Sequence, residues 1–137
     1  MNNIYAQEQE KRNRPIKVAF YARVSTEHEA QTYALGNQIQ WYDDLATKHQ
    51  NWIVVDKYID EGITGTQTTK RPAFLKMIED AKRGKFNLIV TREVSRFARN
   101  VVDCLTTARE LKSNNVEIYF VQEEIWTMEN KGEIELT

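Results

Sequence analysis

Cysteine is almost missing from this sequence of 137 residues. Cys104 stands alone, so no internal disulfide can form, no cysteine cage for zinc exists, and the residue reads as a small core side chain. Histidine is nearly as scarce, and His28 and His49 are too far apart to make a metal motif. No apolar run approaches the roughly 20 residues that cross a bilayer, and the first fifteen positions are polar and charged rather than signal-like, so a soluble, cytoplasmic protein with no membrane partner is expected. The sequence has neither a G-x-x-x-x-G-K-[ST] phosphate loop nor a G-x-G-x-x-G fingerprint. ATP and NAD are therefore not indicated, and no cofactor is expected. Charge of one sign is also lacking: 19 Lys and Arg against 20 Asp and Glu leave a net charge of −1, which argues against a generally basic nucleic-acid-binding surface.

What is present is ordinary globular composition, 41% hydrophobic and 28% charged, in a length that suits one domain with a real core. The charges are unevenly placed. Lys82, Arg83, Lys85, Arg92, Arg96 and Arg99 are opposed between 82 and 99 only by Glu93, whereas residues 117–135 carry six acids and one lysine. Such opposed patches would focus an anionic ligand on one face.

Residues 1 to about 15 lack periodicity and end at Pro15, which predicts a flexible N-terminal arm before a fold that begins near Ile16. The run Val18-Ala19-Phe20-Tyr21 reads as a buried strand. Leu35, Ile39, Tyr42, Leu45 and Ala46 recur at helical spacing and predict a helix over about 32–49, followed by a strand over 52–59. Residues 60–70 have the glycines and small hydroxyls of a mobile loop. Pro72 suits a first helical turn, Phe74, Leu75, Ile78 and Ala81 supply its buried stripe, and Gly84 is placed to end it. A strand over 87–91 follows. Asn100 can then cap a helix whose first turn holds Asp103, Asn114-Asn115 can stop it, and 116–121 completes a fourth strand. The alternation predicts an α/β fold with a mostly parallel sheet of four to five strands and helices on both faces. Residues 132–137 resemble the opening of a helix.

In a parallel sheet the carboxyl ends of the strands would bring together Arg23 and Ser25, Asp60, the Arg92 to Arg99 cluster, and Glu123-Glu124. Guanidinium groups stay charged at working pH and donate paired hydrogen bonds to phosphate oxygens, which suits Arg23, Arg96 and Arg99 to phosphoryl transfer. Ser25 beside them is a candidate nucleophile, although a serine after a strand also serves as a cap. Neither His28 nor His49 has a spacing that marks it as the base, and both read as surface residues. Two other readings remain open. One is a non-nucleolytic anion-binding domain in which Ser25 is a ligand-binding hydroxyl; the other is an assembly domain whose arginines pair with Glu123 and Glu124.

From Lys17 to Thr137 the chain resembles the catalytic domain of the serine site-specific recombinases, the resolvase and invertase family, and within it the large serine and transposon recombinase branch. The resemblance rests on Tyr21-Ala22-Arg23-Val24-Ser25-Thr26-Glu27, Leu35 with Gln38, Asp60 with the loop to Arg71-Pro72, and Ser95-Arg96-Phe97-Ala98-Arg99-Asn100. It implies DNA as substrate, cleavage and rejoining through a 5′-phosphoserine on Ser25, and no nucleotide or metal. Arg23, Arg96 and Arg99 would hold the scissile phosphate, Arg71 would support it, Gln38 and Asp60 would order the site, and Tyr21 would pack beside the nucleophile. Two departures stand out. Ser95 occupies a place where many small resolvases have an acid, and the sequence stops where the family's long oligomerisation helix would begin, ahead of DNA-binding domains. The resemblance thus implies dimers and tetramers of the full-length protein, and a directionality factor as a further partner. This stretch alone would be nearly inactive and would bind DNA weakly.

Overall fold

A computed structural model describes residues 14–25, 29–62, 71–98 and 100–128; the side chains of 25, 29–35 and 62 fall outside the description. Residues 1–13 of the predicted arm, His28, most of the glycine-containing loop, Arg99 and the helix expected at 132–137 also lie outside it.

The elements run β1 (Ile16–Ser25), α1 (Glu29–Thr47), β2 (Trp52–Gly62), α2 (Pro72–Lys82), β3 (Leu88–Thr91), α3 (Val94–Phe97), α4 (Val101–Ser113), β4 (Glu117–Phe120) and β5 (Ile125–Trp126). The sheet order is β2-β1-β3-β4-β5, parallel except for β5, which returns antiparallel to β4. This is the expected α/β architecture. Strand β1, flanked by β2 and β3, is covered on both faces, and Val18, Ala19, Phe20, Tyr21 and Ala22 are all buried, so its sequence shows no polar alternation.

The period of two sorts the strand residues onto two cores. Ala19, Tyr21, Tyr58, Ile89, Ile118 and Phe120 meet Met77 and Ala81 of α2, Phe97 of α3, and Cys104, Ala108 and Leu111 of α4. On the other face Val18, Phe20, Ala22, Leu88 and Val90 meet Trp41, Tyr42 and Leu45 of α1. Helices therefore cover both faces.

Some boundaries differ from the sequence expectation. The first helix begins at Glu29 rather than 32 and stops at Thr47. Strand β2 runs on through Asp60, Glu61 and Gly62, which the loop composition had claimed, because β1 pairs with it to the end: Arg23 faces Asp60 and Ser25 faces Gly62. The register of that pair slips by one residue between Val18 and Ala19; without the slip, Arg23 would stand opposite Ile59. His49, expected at the surface, is half-buried, its ring stacked on Trp52 with centroids 3.8 Å apart, and burial lowers its pKa. Local signals held. Gly84 takes φ of +81° just after α2, Asn100 Oδ1 accepts from the Asp103 N–H at 2.9 Å, and Asn115 turns at φ of 62° after α4.

Candidate active site at the carboxyl edge of the sheet

Strand β1 is paired with β3 only as far as Tyr21, opposite Thr91, so Ala22 to Ser25 extend beyond β3 at the carboxyl edge. The carbonyl of Arg23, in that overhang, accepts from Arg96 Nη1 at 2.5 Å. Arg96 sits on the one-turn α3, which is anchored from inside: the Phe97 ring is fully buried, 5.1 Å from Phe74 and 5.5 Å from Phe120 between centroids. Burying a side chain of that size contributes roughly 1.5–3 kcal/mol, enough to seat so short an element. Arg96 Nε also pairs with Glu93 Oε1 at 3.2 Å.

Behind this pair lies a buried brace. Tyr21 Oη donates to Asp60 Oδ2 at 2.8 Å and accepts from Arg71 Nε at 3.1 Å. Asp60, only 4% exposed at the end of β2, also accepts the backbone N–H groups of Ala73 and Phe74 at 2.9 and 3.0 Å. Its carboxylate thus serves the first turn of α2, where Arg71 at the cap position supplies no side-chain cap. Arg71 in turn donates Nη2 to the Phe97 carbonyl at 2.6 Å, and its guanidinium lies 3.8 Å from the Phe74 ring centre. Burial, foremost, pushes the Tyr21 phenol well above its ordinary pKa, so it remains a donor.

On the opposite face Tyr42 Oη donates to the Tyr21 carbonyl at 2.7 Å and accepts from the Arg92 N–H at 3.0 Å. It ties the end of β1 to the first residue after β3. Burial raises its pKa as well.

The edge therefore brings together Tyr21, Arg23, Asp60, Arg71 and Arg96 of the residues singled out in the sequence. Gln38 is half-buried on α1; Arg99 and the Ser25 side chain lie outside the description. Cys104 is in the core, its thiol pushed up to about 11 by burial. Glu93 and Tyr42 were missed. The three-residue spacing of Glu93 and Arg96 signals the first; for the second, a hydroxyl inside an apolar stripe is the only local hint. The basic cluster of 82–99 does not form one patch, because β3 runs through it: Lys85 pairs with Asp56 at 2.7 Å and Lys82 with Glu110, leaving Arg92 and Arg96 at the carboxyl edge. Glu123 accepts from the Val94 N–H, and among the described residues no ion pair joins an arginine to Glu123 or Glu124. Among the described residues no group of three His, Cys, Asp or Glu could hold a metal ion, and no helix is long and apolar enough to cross a membrane.

Residues 18–137 match the resolvase N-terminal domain. The chain belongs to the resolvase family. Over 107 residues it is 32% identical to a Bacillus subtilis (strain 168) protein named as a candidate DNA recombinase, covering 78% of this chain and 21% of that protein. The chain thus spans about a fifth of that relative's length. Its fold is similar to the crystal structure of the N-terminal catalytic domain of TP901-1 integrase, with TM-score 0.71, 29% identity and 88% of each chain covered. It is similar also to a resolvase family site-specific recombinase from Streptococcus pneumoniae, with TM-score 0.75, 32% identity, and 88% of this chain and 82% of that one covered. The resolvase-like sheet read from the sequence is the fold of this family.

Proposed function

We propose that this chain is a catalytic domain for DNA strand cleavage and rejoining, acting through a 5′-phosphoserine on Ser25. The observation that carries the reading is the reach of the Arg96 guanidinium to the Arg23 carbonyl, two residues before Ser25 on the same overhanging strand. A charged donor held two residues from Ser25 supports a role for it in stabilising the negative charge that an attacked phosphate would gain.

In this mechanism the Ser25 oxygen bonds to phosphorus and the bond to the 3′ oxygen breaks. The proton that leaves the serine is balanced by the one the 3′ oxygen takes up. Because the phosphodiester is exchanged rather than hydrolysed, rejoining needs no outside energy source. Arg23, Arg96 and Arg99 act as phosphate ligands. Arg71 supports them from behind by holding the Phe97 carbonyl, while Asp60 and Tyr21 keep Arg71 in place. Gln38 orders the site from α1. Residues 16–137 constitute this catalytic unit, and self-association and site choice belong to the natural full-length protein, with a directionality factor as a further partner.

The test is denaturing gel analysis of the natural full-length protein with suicide DNA substrates carrying its recombination site. A covalent protein–DNA band is expected, and Ser25→Ala should abolish it while DNA binding persists. A band that survives the substitution removes Ser25 from the role.

A further inference from the structure

Arg92 stands outside the group just assigned to the scissile phosphate. It is the first residue after β3, half-buried, and its backbone is held from both sides: its N–H donates to Tyr42 Oη at 3.0 Å, and its carbonyl accepts from the Gln122 N–H at 2.8 Å. Val90, two residues earlier, belongs to the core under α1, so Arg92 falls on the α1 face of the edge. There its guanidinium lies 5.4 Å from the centre of the half-exposed Trp41 ring, which itself packs edge-on against Tyr42 at 4.9 Å. Among the described residues Arg92 has no acidic partner, whereas Arg96 has Glu93. A guanidinium pinned at its backbone, steadied by an indole and left without a carboxylate keeps its charge available for an anion.

From this geometry we infer that Arg92, backed by Trp41 and Tyr42, binds a second DNA phosphate, next to the scissile one on the α1 side of the edge. The inference rests on the cleavage reading above, which supplies DNA as the anion. Arg92 would fix the strand's path into the site and would not touch the reacting atoms. A contact with the backbone carries no sequence information, so it would weaken binding to all sequences alike when lost.

Salt dependence of binding separates this role from a structural one. With the natural full-length protein and a duplex bearing its recombination site, Arg92→Gln should lower the magnitude of the slope of log affinity against log salt by about one, so that raising salt from about 50 to about 200 mM weakens the variant roughly 3.5-fold less than the parent. Arg92→Lys should restore the slope. In the parent, a single methylphosphonate beside the scissile phosphate should weaken binding about tenfold at one position, and the same replacement should have no further effect in Arg92→Gln. An unchanged slope, or a methylphosphonate scan of the parent with no sensitive position beside the scissile phosphate, overturns the assignment even if Arg92→Gln fails to fold. The covalent band of the unsubstituted protein distinguishes the two levels: its presence with an insensitive scan sinks only Arg92, whereas its absence on a verified site sinks the cleavage reading and this inference with it.

Discussion

At the residue scale, a buried hydroxyl is costly unless its bonding capacity is used, and Tyr42 uses both donor and acceptor. Tyr42→Phe keeps the ring against Phe20 and Trp41 but removes a hydrogen bond from the Tyr21 carbonyl and another from the Arg92 N–H. A loss of about 1–2 kcal/mol is expected in urea denaturation. A cost below a few tenths would mean that the neighbouring strands close the gap themselves. The sequence exposes only half of this residue's role. Its place in the stripe with Leu35, Ile39 and Leu45 marks it as inward-facing, but nothing in the spacing says what the hydroxyl meets 21 residues back and 50 ahead. Glu93 was more accessible to sequence reading, since its partner lies three positions away.

At the scale of elements, α2 has an unusual start. Its cap position is Arg71, and the carboxylate that serves its first turn comes from Asp60, at the end of the preceding strand. Asp60→Ala should therefore cost more than a surface cap, about 2–4 kcal/mol, because the Ala73 and Phe74 N–H groups and the Tyr21 hydroxyl lose one shared acceptor. Asp60→Asn should cost less, and chemical denaturation of both variants measures the difference. Equal losses would point to the charge rather than to the acceptors. Caps of this kind escape sequence reading, because the partner lies 13 residues away. The cap of α4 was legible for the opposite reason: Asn100 and Asp103 are three residues apart. The short α3 and the two-residue β5 were not legible, since neither is long enough to show a period. The parallel direction of the four main strands followed from the alternation of strand and helix patterns, whereas their order in the sheet did not.

For the whole molecule, stability should fall on the alkaline side. Burial raises the phenols of Tyr21, Tyr42 and Tyr58, with the Asp80 carboxylate adding to the effect at Tyr58 through a 2.6 Å hydrogen bond. An unfolded chain ionises such groups near 10.0, while the folded chain holds them protonated. Their contribution is thus complete below pH 10 and is lost as pH rises through the raised folded values. Urea midpoints taken from pH 9 upward should decline beyond pH 10, and Tyr58→Phe should flatten the decline. An identical slope in that variant would locate the alkaline sensitivity elsewhere.

The unequal lengths of β1 and β3 bear on how the edge can respond to a substrate. On the β3 side, the last four residues of β1 have no strand beside them, and the Arg23 carbonyl there is held by one guanidinium. Neighbouring strands separate as a cooperative row, but a side chain lets go singly. The tip of β1 can therefore be freed on that side by withdrawing Arg96 alone, with every rung of the β1–β3 ladder left closed. Under the cleavage reading proposed above, capture of a phosphate by Arg96 and release of that tip would be a single event.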